Sequence, residues 1–232
     1  MRTGPGVAEN DAIMSNGEVI ALLVPLAYLL GTFPSAAIVA RRKGVDVTAE
    51  GSGNPGASNA FRLLGWKAGA LVFFLDALKG AAATFAGLAI DGHRGAYVLG
   101  FAALLGHVFP LTRHFKGGRG VATGAGMMIV LFPLLTIAMG VLWFVLVRVT
   151  GKASVASVTT AIAFPISVAL AGHPAGDVAV ISIMAGIVVL RHLSNLRRLV
   201  RGEELGLVQD DDALDSGAPP PPEEEGDQRA AS

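Results

Sequence analysis

Between two long apolar runs lies HFKGGRGVATG, His114 to Gly124, in which Lys116 and Arg119 alternate with Gly117, Gly118 and Gly120. Glycine lets a backbone approach a ligand closely, and N–H groups at the start of a helix face an anion. Lys116, Gly117, Gly118, Arg119, Gly120 and Val121 are therefore a candidate phosphate cradle. A nucleotide P-loop would need G-x-x-x-x-G-K-[ST] after a buried strand, and neither the order nor the strand exists here. The bland alternative is that the two cations only bind lipid headgroups or fix topology.

Two further stretches carry similar chemistry. EGSGNPGASNAFRLLGWK, Glu50 to Lys67, offers small residues with free N–H groups, polar side chains at Ser52, Asn54, Ser58 and Asn59, and a forked charge at Arg62. Such a set can line a concave anion site; the competing reading is a flexible Gly/Ser linker followed by an amphipathic stub. RHLSNLRRLVRGEEL, Arg191 to Leu205, holds His192, Asn195 and Glu203, types that position a polar substrate. Its competing reading is a basic amphipathic helix lying on an anionic leaflet. Asp76, Lys79 and His107 sit inside apolar runs, where isolated charges are costly and need partners. Asp76 and Lys79 are one helical turn apart and can pair with each other, while His107 is read as a substrate contact.

The elements that must hold these residues are membrane helices. The chain has 232 residues, 52% of them apolar and 16% charged, with 30 glycines and a mean hydropathy of +0.57, far from a soluble average. Crossing the hydrocarbon takes about 20 apolar residues. Candidate spans are Val19 to Ala40, Ala68 to Ile90, Gly95 to Leu111, Gly120 to Phe132, Pro133 to Val149, Ala153 to Ala171 and Val178 to Leu190. The fold class expected is an all-α integral membrane protein of about seven transmembrane helices, five or six if the shorter runs do not cross. Lys and Arg in short loops stay cytoplasmic. With the N-terminus outside, most of the 18 Lys and Arg fall in inner segments, among them Arg41, Arg113, Lys116, Arg119, Arg191 and Arg197. All three motifs then share the cytoplasmic face, and the C-terminus is cytoplasmic too.

The membrane domain is expected over residues 18–205, between a polar N-terminal segment of residues 1–17 and an acidic, Pro-rich tail of residues 206–232. Ten of the 18 acidic residues lie beyond Gly202, and the tail has too little apolar surface to fold. With no cysteine, disulfides, thiolate metal sites and a Cys nucleophile are excluded.

In this order, GSGNPGASN with Arg62, FLDALKG, GHVFPLTRHFKGGRGVATG and LRHLSNLRRLVRGEE closely resemble the bacterial PlsY family, the membrane acyl-phosphate:glycerol-3-phosphate acyltransferases. The resemblance spans about residues 20–205. It implies seven spans with the N-terminus outside, in the bacterial cell membrane, and the first acylation step of phospholipid synthesis. An acyl phosphate gives its acyl group to the 1-hydroxyl of sn-glycerol 3-phosphate, producing lysophosphatidic acid and inorganic phosphate. It also implies important roles for Ser52, Arg62, His192 and Asn195, a glycerol-phosphate loop over residues 116–121, and a structural role for Glu203. Arg119 stands where the family often has Lys, which keeps charge but changes fork geometry.

The residue chemistry is consistent with that reaction. Both substrates carry phosphate, so two anion cradles beside a lipid-facing groove are needed. The His-x4-Asp pair of another acyltransferase class, in which Asp orients a His base, is absent: none of the five His has Asp five positions later. An acyl phosphate is already activated, so direct attack without an acyl-enzyme is expected, with no metal and no cofactor. The expected partners are the two substrates, the bilayer and, by function, the enzyme that makes acyl phosphate; nucleic acid is not among them. A transporter of organic phosphate is the rival from another class, but no internal repeat of the kind transporters show is visible. A structural lipid-binding protein would leave the glycines of the opening stretch unexplained.

Overall fold

The computed structural model describes residues 14–207, and within them every regular element is a helix. Most of the two tails expected over 1–17 and 206–232 therefore lies outside the described residues. The first helix, α1 (Asn16–Gly31), starts where the Ser15 hydroxyl accepts the Glu18 N–H and the Glu18 carboxylate takes the Ser15 N–H, a capping box. It stops at Thr32 ahead of Phe33-Pro34, and the chain resumes as α2 (Ser35–Arg41). The first expected span is thus a helix with a break in it.

After a polar loop come α3 (Ala57–Leu64) and α4 (Trp66–Val108). The backbone leaves helical geometry at Asp91 (φ −137°, ψ 29°) and Gly92 (φ 59°, ψ −148°). There α4 folds back into two antiparallel arms, 66–90 and 93–108, which correspond to the second and third expected spans. The register proves the reversal. A Cβ added at Gly87 would strike the Gly95 carbonyl, one at Gly100 would strike Thr84, and the Asp76 carboxylate lies 3.7 Å from His107 Nδ1. Each pair is centred on the Asp91–Gly92 break.

The remaining helices are α5 (Val121–Leu131), α6 (Pro133–Thr150), α7 (Ala153–Leu170), α8 (Ala175–Arg191) and α9 (Leu193–Val200). Pro133 opens α6 at a position where its missing N–H costs nothing. Among the described residues four helical units have the length and hydropathy of a membrane span: 16–41, 66–113, 133–150 and 153–170. A fifth appears if α8 and α9, bent by 51°, are taken together. The 11-residue α5 rises only about 16 Å, half of a hydrocarbon core roughly 30 Å thick.

Small residues draw the helices together, as expected where lipid gives no hydrophobic drive between them. A Cβ on Gly31 would meet Ala103, one on Gly80 would meet Thr123, and one on Gly126 would meet Ala77, in each case at backbone. The largest buried cluster, with Leu104, Met127, Phe132, Phe164 and Met184, fills the space between the second arm of α4 and α5, α7 and α8. A smaller one, with Val47, Ala60 and Val72, lies beneath the first polar loop. α6 buries no residue and is joined to α7 by Trp143 Nε1 donating to Ser157 Oγ at 3.0 Å.

A polar knot secures the break in the first span. Asp76 Oδ1 accepts from Ser35 Oγ at 2.8 Å and pairs with Lys79 Nζ at 2.9 Å; Lys79 in turn donates to the Phe33 carbonyl at 3.2 Å. All three side chains are buried. The carbonyl freed by the break thus gains a cationic donor instead of facing hydrocarbon.

Candidate functional site

The three polar stretches meet at one end of the bundle. A cavity of about 340 Å³ is lined by Thr48, Ser52, Gly53, Asn54 and Pro55 from the first loop, by Phe115, Lys116, Gly117 and Arg119 from the second, and by Arg191 and Ser194 from the third. Its lining has three cations and no carboxylate, and this suits a phosphate ester.

The first wall is shaped by Asn59, which is buried at the start of α3. Its amide oxygen accepts the Ser52 N–H at 2.9 Å, and its amide nitrogen donates to the carbonyls of Val47 (2.9 Å) and Glu50 (3.0 Å). Asn59, expected as a substrate contact, is outside the cavity lining, and its amide is spent inside the loop, where it holds the curve. Ser52 lines the cavity, and its buried hydroxyl has no hydrogen-bond partner among the described residues. Asn54 lines the cavity as well, while Ser58 is half-buried and outside the lining.

The second wall is the glycine-rich loop. Gly118 donates its N–H to the His107 carbonyl at 3.1 Å, and a Cβ at this position would come within 2.6 Å of His107 Cε1. Gly118 is thus glycine because the loop lies flat on the end of α4, not because its N–H reaches a ligand. Gly120 takes a positive φ of 87° to turn the chain into α5, which glycine does at little cost. Lys116 and Arg119 line the cavity; Gly120 and Val121 stand behind it at the start of α5. The first-turn N–H groups of α5 have no partner within the helix and face its N-terminal end. Burial pushes the Arg119 guanidinium down to about 10, with Glu204 opposing, so it remains charged at neutral pH.

His107, expected as a substrate contact, lies outside the cavity lining. It is only 4% exposed, lies under Gly118 and faces Asp76. With Asp76 and Lys79 it forms the buried floor on which the loop rests.

The third wall comes from the joint between α8 and α9. Arg191 donates to the carbonyls of Gly117 (2.9 Å) and Gly118 (3.4 Å) and lies over the Phe109 ring, 5.6 Å from its centroid. His192 is buried, with Nδ1 2.7 Å from the Val188 carbonyl. That bond makes Nδ1 the protonated nitrogen and leaves Nε2 as an acceptor. Asn195 is buried too, donating to Glu204 Oε1 at 2.6 Å. Neither His192 nor Asn195 is part of the cavity lining, so both stand behind it.

Glu203 is exposed, and the buried carboxylate is its neighbour Glu204. Arg198 Nε reaches Glu204 Oε2 at 3.0 Å. Burial pushes the Glu204 carboxyl up, but the bond from Asn195 and the Arg198 charge outweigh it and hold the group below the usual carboxylate range. The residues after it form a strap. Lys152 Nζ donates to the Glu204 carbonyl at 2.8 Å, Leu207 N to the Gly151 carbonyl at 2.8 Å, and Arg62 to the carbonyls of Leu205 and Gly206. Gly206 and Leu207 therefore belong to the folded frame and not to the tail expected from 206. The third guanidinium nitrogen of Arg62, Nη1, is buried and has no hydrogen-bond partner among the described residues.

Arg191, Thr48, Phe115 and Ser194 were not singled out from the sequence. Arg191 opens the third stretch, and its charge was visible there, but nothing in the spacing tied it to the glycine carbonyls.

A family model described as glycerol-3-phosphate acyltransferase matches residues 21–202. The glycerol-3-phosphate acyltransferase of Bacillus subtilis (strain 168) is 39% identical over 187 residues, 80% of this chain and 96% of that one. The enzyme of the same name from Aquifex aeolicus (strain VF5) is 37% identical over 185 residues, 78% and 96% of the two chains. Crystal structures of PlsY, an integral membrane glycerol 3-phosphate acyltransferase, superpose with TM-scores of 0.79 for the glycerol 3-phosphate form and 0.76 for the lysophosphatidic acid form. The first is 34% identical and covers 84% of this chain and 98% of its own; the second is 35% identical and covers 81% and 95%. A membrane-embedded helical bundle with three polar loops around one cationic cavity thus belongs to the glycerol-3-phosphate acyltransferase family.

Proposed function

We propose that this chain transfers a fatty acyl group from acyl phosphate to the 1-hydroxyl of sn-glycerol 3-phosphate. The products are lysophosphatidic acid and inorganic phosphate. The observation that carries this reading is the cavity itself. It has three cations, three hydroxyl side chains and no carboxylate, assembled from two loops and the α8–α9 joint at one end of a membrane bundle. A phosphate fits that lining, and an acyl chain can extend into the surrounding lipid.

In this mechanism the glycerol hydroxyl oxygen attacks the acyl carbon, the bond from that carbon to the phosphate oxygen breaks, and phosphate leaves. No acyl-enzyme forms. Lys116, Arg119 and Arg191 hold phosphates and offset developing charge, with the Ser52 hydroxyl and the Asn54 amide beside them, and Arg62 adds positive charge from behind the lining. The hydroxyl proton passes to a phosphate oxygen of the substrate or to His192 Nε2. The burial of His192 behind the lining supports the phosphate route. Asn195 and Glu204 hold the third wall.

The topology proposed has seven crossings: α1 with α2, the two arms of α4, then α5, α6, α7 and α8, with the short α5 completing its crossing because the polar loop before it dips inward. The N-terminus is outside and the cavity opens at the cytoplasmic face of the bacterial cell membrane. The distribution of Lys and Arg supports this orientation. Acyl phosphate would be handed over by the enzyme that makes it.

The test is purified protein in detergent with acyl phosphate and labelled glycerol 3-phosphate. Labelled lysophosphatidic acid is expected, with no turnover from acyl-CoA. Turnover from acyl-CoA alone would refute the donor, a trapped acyl-protein after donor alone would refute direct attack, and uptake into sealed vesicles without product would point to transport.

A further inference from the structure

We infer that Tyr28, on α1 and outside all three polar stretches, is a positioning residue for the glycine-rich loop. This rests on the reading of the cavity as the phosphate site. The Tyr28 hydroxyl donates to the Phe109 carbonyl at 2.7 Å and accepts the Leu111 N–H at 3.0 Å. One hydroxyl therefore closes the backbone on both sides of Pro110, which has no N–H of its own.

Pro110 is the hub of the turn that launches the loop. Its carbonyl accepts the N–H of Arg113 (3.1 Å) and of Phe115 (2.9 Å), and a Cβ on Gly117 would come within 2.5 Å of its ring. A shift of Pro110 carries Phe115, Lys116 and Gly117 with it, and all three line the cavity. Two opposed anchors hold the turn: Arg191 lies over Phe109 from the α8 side, and Tyr28 reaches it from α1. The α1 anchor is itself rigid, because a Cβ on Gly106 would strike the Tyr28 carbonyl and one on Gly31 would strike Ala103. The position of the first span is in this way transmitted to a loop more than 80 residues later in the chain.

Tyr28→Phe removes only the hydroxyl. A hydrogen bond is worth about 1 kcal/mol net, so the KM for glycerol 3-phosphate should rise roughly 5- to 30-fold for the two bonds, with kcat within about twofold. Leu111→Pro is the second variant, since it deletes the donor and leaves Tyr28 in place. Pro110 already has the extended ψ of 121° that a residue before proline requires, and Leu111 is the first residue of its 3₁₀ turn. It should raise KM by about 5-fold.

Both variants are assayed beside the unaltered protein, with melting temperature and calorimetric binding of glycerol 3-phosphate. An unaltered protein that turns over while Tyr28→Phe keeps its KM overturns the inference. So does a lower melting temperature with KM unchanged, which makes the hydroxyl a folding contact only. If Tyr28→Phe cannot be purified, an unchanged KM in Leu111→Pro has the same consequence. An unaltered protein that neither turns over nor binds glycerol 3-phosphate overturns the proposed function, and this inference falls with it.

Discussion

Asn195 and Glu204 share a buried hydrogen bond of 2.6 Å, and Arg198 grips the other oxygen of the same carboxylate at 3.0 Å. The carboxylate thereby ties α9 to the strap that follows it. Glu204→Gln puts an amide opposite two donors, so at least one bond is lost and the Arg198 charge is left without its counterion. A loss of about 2–4 kcal/mol of stability is expected, with a matching fall in activity. Glu203→Gln, one residue earlier and exposed, should stay within about 0.5 kcal/mol of the parent. Thermal unfolding of the two variants in detergent decides between the positions.

The same carboxylate sets an acid limit. Its pKa in the folded protein lies below the ordinary 4.5. The stability it contributes is therefore complete above about pH 4.5 and is lost as pH falls through the lower folded value. Melting temperature should drop more steeply below pH 4.5 in the parent than in Glu204→Gln, which has nothing to titrate there. Parallel curves for the two proteins would refute this.

Gly118 and Gly124 lie in the same stretch and should behave oppositely. Alanine at 118 meets the His107 ring, whereas nothing lies within 4 Å of a Cβ at 124. Gly118→Ala should cost about 1–3 kcal/mol through overpacking and raise KM for the phosphate substrate by moving Lys116 and Arg119. Gly124→Ala, inside α5, should gain up to about 1 kcal/mol. Denaturation and steady-state kinetics on the pair provide the check.

Removing half of the buried ion pair under the loop should do more harm than removing both halves. Asp76→Asn leaves Lys79 charged and buried, at an expected cost of about 3–5 kcal/mol, while Asp76→Asn with Lys79→Met should recover much of it. Lys79 also serves the Phe33 carbonyl, so recovery will be incomplete. Thermal unfolding of both variants measures the difference.

Helices and their order were readable from the apolar runs, because a bilayer imposes a length on every crossing. The breaks inside them were harder to see. Nothing in the hydropathy marks Phe33-Pro34 as the end of one helix and the start of another, and the partner that makes the break tolerable, Lys79, is 46 residues away. The polar loops were legible as anion sites from their composition, yet the division of labour within them was not. Asn59 and Gly118 look like ligand groups in sequence, but their polar atoms are consumed by their own backbone surroundings. His107 likewise looks like a ligand group, but its ring is buried beneath Gly118 and outside the cavity lining. Glu203 and Glu204 are chemically identical neighbours, and only the turn after α9 decides which one points inward. Arg191 and Tyr28 escaped notice because both act on carbonyls or N–H groups of a distant loop, and sequence carries no mark of such a bond.

The strap has a consequence for how the protein comes into being. Arg62 bonds to carbonyls 143 and 144 residues further along the chain, and those residues leave the ribosome after every helix among the described residues. Until they emerge, Arg62 has neither of those carbonyls to hold it, and Lys152 lacks the Glu204 carbonyl. A half-synthesised chain already in the bilayer holds the glycine loop and its two cations without the bonds that close this frame.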